Sequence, residues 1–139
     1  MFAVEVRDHI MIAHSLPSPT FGPAQGMHGA TFTVDAAFFA EAMDDESLVV
    51  DMGLATEALS DALAPLRYKN LDEIEAFGGK FTTTEFLCKH IFDQLADKAR
   101  TGDLGDPWGD FGERWVSPAL AQGCPKAPQG APRIIQDRP

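Results

Sequence analysis

Apolar and polar residues alternate in two segments near the start of the chain. In the first segment Phe2, Val4, Val6, Ile10 and Ile12 share the even positions, and this phase ends at His14. In the second segment the phase begins at His28 and continues through Ala30, Phe32, Val34, Ala36 and Phe38. A period of two predicts β-strands, in which each histidine lies on the same face as the apolar residues of its strand.

The segment between these strands, from Ser15 to Met27, is rich in proline and glycine. Proline lacks the N–H that a sheet ladder needs, so this segment is predicted to be a loop. If the strands pair as an antiparallel hairpin, the loop brings His14 and His28 side by side at one end of the sheet. This pair is a candidate metal or proton-transfer site. The alternative is that both are core histidines that hydrogen-bond to the backbone or to water.

Two helices are predicted after the strands. Asp51 has the position of an N-cap, and a stripe of apolar residues at helical spacing follows it: Leu54, Ala55, Ala58, Leu59, Ala62, Leu63 and Leu66. Thr82 and Glu85 have the spacing of a capping box. Behind them a second stripe, made of Phe86, Leu87, Ile91, Leu95 and Ala99, predicts a helix that ends before Gly102.

The periodic pattern stops at Gly102. Residues 103–139 are rich in Gly, Pro, Ala and Gln, and only Glu113 to Val116 has the character of a short strand. We therefore predict one folded domain over residues 1–102 and an irregular, disordered tail over residues 103–139. The alternative is that the tail is the remnant of a final hairpin in a chain altered after about Gly102.

Composition narrows the possible partners. The 139 residues carry a formal net charge of -10, which argues against nucleic acid and against an anionic membrane surface. No apolar run reaches the roughly 18 residues that a membrane span requires. Cys88 and Cys124 are far apart and form no CxxC pair, so neither a disulfide framework nor a thiolate zinc site is indicated. The expected compartment is the reducing cytoplasm.

Five short motifs occur in order along the chain: Ala13-His14-Ser15-Leu16, His28-Gly29, Val49-Val50-Asp51-Met52, Leu66 to Leu71, and Thr83-Thr84-Glu85. With these motifs the sequence resembles, from about Phe2 to Ala99, one family of enzymes, the 6-pyruvoyl- and 6-carboxy-tetrahydropterin synthases. The resemblance implies an α+β fold of the T-fold type, in which two helices pack on one face of an antiparallel sheet. It also implies a homo-oligomer, because family members join their sheets between subunits.

The resemblance also implies a chemistry, from which this chain departs at several positions. In the family three histidines hold zinc; His14 and His28 match two of them, and Ala30 stands at the third. The family's catalytic cysteine corresponds to Ala24, and its Asp-His pair corresponds to Arg67-Tyr68. Zinc bound by His14 and His28 is therefore expected at low occupancy, since catalytic zinc usually has three protein ligands.

Glu85, Tyr68, Arg67 and Lys69 are the other candidate site residues. The resemblance implies that Glu85 hydrogen-bonds the pterin ring. The alternative is that Glu85 only caps the helix as part of a capping box, a role that requires no substrate. Tyr68 is a weak catalytic candidate, because a phenol with a pKa near 10 is a poor base at pH 7. Arg67 and Lys69 offer cations to a triphosphate, and an ordinary polar loop is the alternative for both.

These expectations combine into one functional hypothesis. The chain is expected to be a divergent tetrahydropterin synthase, a carbon–oxygen lyase that eliminates triphosphate from 7,8-dihydroneopterin triphosphate or a related pterin. Its product would serve either a modified tRNA base, as in queuosine biosynthesis, or a folate-like cofactor. The alternative is a non-catalytic T-fold protein that binds a pterin or purine, or that serves in assembly, and keeps a degenerate zinc site.

Overall fold

The computed structural model describes residues 1–101, Leu104, and the backbone of residues 116–119 and 133–136. Strands β1 (Phe2–His14) and β2 (His28–Ala40) are followed by helices α1 (Met52–Leu63) and α2 (Thr84–Thr101), and then by strands β3 (Val116–Ala119) and β4 (Arg133–Gln136). Three short 3-10 segments lie in the connections, at Pro19–Gln25, Leu71–Glu73 and Glu75–Phe77. The α+β class and the order strand, strand, helix, helix are as predicted.

β1 and β2 form the antiparallel hairpin that the alternating pattern predicts. Their register runs without interruption from Phe2 opposite Ala40 to His14 opposite His28. Each strand is 13 residues long. Because side chains alternate between faces, this register decides which residues share a surface with the two histidines.

One face of the hairpin carries the core. Most of its even-numbered residues join one core with α1 and α2 and are almost fully buried, as Ile10, Val34 and Phe38 show. From the helices the core receives Ala55, Leu59, Leu63, Leu87, Ile91 and Leu95. The apolar stripes of both helices therefore face the same side of the sheet, as predicted.

A cross-strand ion pair on the opposite face supports the register. Arg7 and Asp35 are directly opposite each other, and the guanidinium binds the carboxylate through two hydrogen bonds of 2.5 and 2.8 Å. Asp35 is only 4% exposed. A buried carboxylate needs such a partner, so a shift of one residue between the strands would leave Asp35 uncompensated.

Part of the predicted tail is corrected by the structure. β3 pairs antiparallel with residues 35–38 of β2, and β4 pairs antiparallel with residues 32–34. Each strand has only four residues, and β3 contains Pro118, so neither shows the alternation from which a strand can be recognised. Of the predicted short strand, Val116 belongs to β3, whereas Glu113 lies outside the described residues. The domain boundary at residue 102 stays a prediction.

The two helix starts differ in how well they match the sequence. Asp51 caps α1 as predicted, and its carboxylate accepts from the N–H groups of Gly53 and Leu54 at 2.7 and 3.0 Å. The predicted capping box at α2 is wrong by one residue. The Thr83 hydroxyl accepts from the Phe86 N–H at 3.3 Å, and Thr82 is directed elsewhere.

Along the described stretches of the chain, no helix has both the length and the apolar character needed to cross a membrane.

Candidate functional site

The two histidines at the closed end of the hairpin lie against each other. His14 and His28 are directly opposite in the register, and their ring centroids are 4.6 Å apart with the planes tilted by 59°. His14 is 4% exposed, whereas His28 is half-buried. Phe32 contributes an edge-on ring contact to His14 with centroids 6.4 Å apart. The structure therefore brings together the two residues that the sequence placed at one site.

Both imidazoles use Nδ1 for a hydrogen bond to the protein. His14 Nδ1 lies 3.1 Å from the Thr82 carbonyl oxygen, and His28 Nδ1 lies 2.9 Å from the Gly26 carbonyl oxygen. A carbonyl oxygen can only accept, so we assign the proton to Nδ1 in both rings. This leaves Nε2 of each ring with its lone pair and with no hydrogen bond to any described residue. Nε2 is thus the atom available to a proton, a metal or a substrate.

His14 is an electrically neutral side chain at pH 7. Burial is the largest influence and lowers its pKa from the ordinary value of 6.5, and the neighbouring His28 lowers it further. The hydrogen bond to Thr82 and the Asp72 carboxylate act in the opposite direction on this pKa. Asp72 is held close by the backbone N–H and the hydroxyl of Ser15, at 2.9 and 2.6 Å.

The described residues do not complete a three-ligand zinc centre. No group of three His, Cys, Asp or Glu side chains that could hold a metal occurs among them. Ala30 is on the same strand face as His28, opposite Ile12, and has no donor atom. His9 is on the other face of β1, and its side chain is 73% exposed. Two imidazoles alone are a weak zinc site, so we assign no chemical step to a metal.

The segment after α1 runs alongside the end of β1. The Tyr68 N–H donates to the Met11 carbonyl at 2.8 Å, and the Lys69 carbonyl accepts from the Ala13 N–H at 2.9 Å. Tyr68 adopts a left-handed backbone with φ of 56° and is 82% exposed. Its phenol has no contact with the histidine pair among the described interactions, and Lys69 is also exposed.

Arg67 is engaged on the core side of β1. Its guanidinium forms an ion pair with Asp8 and donates to the His9 carbonyl at 2.6 Å. The side chains of Arg67 and Asp8 are 29% and 21% exposed. The sequence suggested that Arg67 would bind triphosphate, but in the structure its guanidinium is already paired with Asp8.

Glu85 lies in the first turn of α2 and is exposed. Because Thr83 caps the helix, Glu85 is not at the position that a capping-box glutamate occupies. The capping box is therefore not the role of Glu85. Its carboxylate is close enough to Cys88 to add to the effect of burial, and together they raise the pKa of that thiol to about 12. Cys88 is therefore a buried, protonated thiol of α2.

Sequence reasoning missed an aromatic contact beside the site. The rings of Phe21 and Phe81 meet edge to face with centroids 5.5 Å apart. Phe21 belongs to the loop before His28, and Phe81 directly precedes Thr82. The contact therefore ties together the two segments that hold the histidine rings. Its partners are 60 residues apart, and no local pattern marks either of them.

Comparison with known proteins identifies the family. A family model described as 6-pyruvoyl tetrahydropterin synthase matches residues 3–105. The chain belongs to the 6-pyruvoyl tetrahydropterin synthase family. Among solved structures, the 6-pyruvoyl tetrahydropterin synthase of Caenorhabditis elegans is similar in fold, with a TM-score of 0.64 at 23% identity. That match covers 76% of this chain and 81% of the other. A search of curated proteins finds no significant match.

Family membership confirms the resemblance on which the site was predicted, together with the T-fold architecture. The match of His14, His28 and Glu85 to positions of the family pattern stays a prediction from the sequence. The same holds for the departures at Ala24 and Ala30, whose side chains can neither bind a metal nor move a proton.

Proposed function

We propose that this tetrahydropterin synthase family member acts on 7,8-dihydroneopterin triphosphate, or on a close pterin relative, as a carbon–oxygen lyase that releases triphosphate. The observation that supports this proposal is the His14–His28 pair. Two imidazoles in contact, each bonded to protein through Nδ1, offer two Nε2 atoms at one place. This arrangement is suited to proton transfer at a small-molecule substrate.

Elimination of triphosphate breaks a C–O bond and requires removal of a proton from an adjacent carbon. A neutral imidazole can accept that proton at Nε2, and burial keeps His14 neutral at pH 7. A positive charge on His28, whose ring centroid is 4.6 Å away, disfavours protonation of His14. In the proposed mechanism the His14–His28 pair therefore holds only the one proton that the substrate loses.

Three exposed residues would bind the substrate. Glu85 would accept hydrogen bonds from the N–H groups of the pterin ring, since its carboxylate lies in the first turn of α2 just after the segment that contacts His14. The ammonium of Lys69 would attract the triphosphate, as its backbone is bonded to the residue before His14. Tyr68 has a secondary role as a proton donor. Arg67 contributes by holding this segment on β1.

We also propose that zinc binds to His14 and His28 only weakly, with its remaining ligands supplied by solvent, substrate or a neighbouring subunit. A homo-oligomer is part of the proposal, because no described strand pairs with the outer edge of β1 from Phe2 to Ile10. An open edge of this length favours pairing with a second copy. The proposed location is the cytoplasm, with no nucleic acid or membrane as partner.

A second candidate function is pterin or purine binding without turnover. Two observations favour it: Arg67 is already paired with Asp8, and Ala30 offers no donor beside His28. A protein of this kind would keep the pocket and Glu85 but lack the groups that drive elimination. A purely structural role in assembly would require neither binding nor turnover.

Turnover and binding assays on the full chain separate these functions. The protein is mixed with 7,8-dihydroneopterin triphosphate, triphosphate release is followed by ion chromatography, and pterin binding is measured by calorimetry. The lyase proposal expects release that His28→Ala reduces by at least roughly 100-fold, in line with the usual effect of losing an acid–base group. His9→Ala is the matched control, because His9 lies on the other face of the hairpin. Binding without release supports the second candidate, and neither binding nor release overturns both.

A further inference from the structure

We propose that Thr82 is a positioning residue for His14, which fixes the imidazole in one tautomer and one orientation so that Nε2 faces the reaction partner. Three polar or charged residues are buried in the described part of the chain: His14, Asp35 and Thr82. Asp35 is satisfied by Arg7 on the far face of the sheet. The other two satisfy each other.

Two oxygen atoms of Thr82 converge on one nitrogen of His14. The carbonyl oxygen is 3.1 Å and the hydroxyl oxygen 2.9 Å from Nδ1. If Nδ1 carries the proton, both oxygens can accept from it, and both contacts are favourable. If Nδ1 carries a lone pair, the hydroxyl can donate to it, but the carbonyl oxygen then faces that lone pair at 3.1 Å in a site from which water is excluded. Only the tautomer with the proton on Nδ1 avoids placing two lone pairs face to face in this buried site.

The neighbours of Thr82 hold it in place from both sides. Phe81 packs against Phe21 in the loop before His28, and Thr83 caps α2 through the N–H of Phe86. Thr82 itself is 1% exposed. Its oxygens therefore cannot move without disturbing a ring contact or a helix start, which makes them a rigid support for the imidazole.

The sequence suggests a different role for this residue. Thr82 and Glu85 have capping-box spacing, but the cap belongs to Thr83, so the Thr82 hydroxyl is free of that task. Its importance for chemistry depends on the proposed function, in which Nε2 of His14 exchanges a proton with the pterin. The tautomer itself can be measured without substrate, so the two proposals fail separately.

Nitrogen NMR of the full chain tests the assignment. Long-range ¹H–¹⁵N correlations of the His14 ring are recorded at about pH 8 with a chelator present, and His14→Asn identifies its signals. We expect Nδ1 to show the shift of a protonated nitrogen and Nε2 that of an unprotonated nitrogen. Thr82→Val removes the hydroxyl but keeps the backbone carbonyl oxygen, so Nδ1 should keep its proton with one acceptor fewer, and its shift should move while Nε2 stays unprotonated. In Thr82→Ser, which keeps the hydroxyl, both shifts should stay at their wild-type values.

Thr84→Val is the matched control, since it removes a threonine hydroxyl from the first turn of α2 and should leave the His14 shifts unchanged. A protonated Nε2 of His14 in the wild-type spectrum would overturn the proposal, whatever the Thr82 variants show. Thr82→Val spectra identical to wild type would also overturn it. If the tautomer is as expected but no triphosphate is released, the lyase proposal fails while the role of Thr82 remains.

Discussion

Arg67 and Asp8 form an ion pair that fixes the segment after α1 to the first strand, although 59 residues separate them along the chain. The same guanidinium donates to the His9 carbonyl. The charge of Arg67 is therefore paired within the protein. Arg67, which the sequence suggested as a phosphate-binding residue, instead stabilises the fold.

Replacing Arg67 should consequently lower stability. Arg67→Ala is expected to reduce the free energy of unfolding by about 1 kcal/mol, the scale of a partly exposed pair that also makes a hydrogen bond. Urea denaturation measures this change. Lys69→Ala is the matched control and should alter stability little, because Lys69 is exposed. A loss of triphosphate affinity in Arg67→Ala at unchanged stability would contradict this assignment.

Ala30 is the position at which a third ligand would complete a metal site. It lies on the strand face of His28, two residues further along β2. Ala30→His should raise zinc affinity by at least about tenfold, because catalytic zinc is normally held by three protein ligands. Competition with a chromophoric chelator measures this affinity. Thr31→His is the control on the opposite face and should have little effect, and equal affinities in the two variants would show that strand face does not matter here.

Stability should fall in mildly acidic solution because of His90. Its ring packs against Phe77 with centroids 5.0 Å apart, and burial lowers its pKa below the ordinary 6.5, an effect that Asp93 partly offsets. The unfolded chain therefore binds the proton more readily, so the contribution of His90 to stability is complete above about pH 6.5 and is lost as the pH falls. Denaturation curves from about pH 7.5 to 5.5 should show this loss, and buried His14 adds to it in the same direction.

His90→Phe keeps a ring against Phe77 and removes the titrating group, so its stability should depend less on pH over this range. A curve for His90→Phe with the full wild-type slope would show that His90 does not contribute to the pH dependence.

The thiol of Cys88 should be unreactive in the folded protein. Burial and the nearby Glu85 raise its pKa to about 12, so almost none is thiolate at about pH 8. In a Cys124→Ser background, iodoacetamide should modify Cys88 only after unfolding, as measured by mass spectrometry. Rapid modification of the native protein would mean that this thiol is accessible and ionised.

The sequence was sufficient for features that depend on neighbours along the chain. Alternation predicted both long strands and the meeting of His14 with His28, and the position of Asp51 before an apolar stripe predicted the cap of α1. These features are local, or they follow from the period of two within a simple hairpin.

Features that depend on distant partners could not be predicted in this way. Thr82 matched a capping motif, but the buried imidazole of His14 binds its oxygens, and Thr83 takes the cap. Arg67 was assigned to a substrate because nothing local points to Asp8. β3 and β4 escaped recognition because four residues are too few to show alternation.

The uninterrupted register of β1 and β2 also limits how this gene can change over time. Insertions within residues 17–20 need only lengthen an exposed part of the connection, ahead of the Phe21 ring contact and the Gly26 carbonyl, so relatives should vary there. Adding or removing a single codon within either strand would turn every residue beyond it to the other side of the sheet, separating one imidazole from its neighbour. Length variation among descendants of this protein should therefore collect in the connection and avoid the strands on both sides of it.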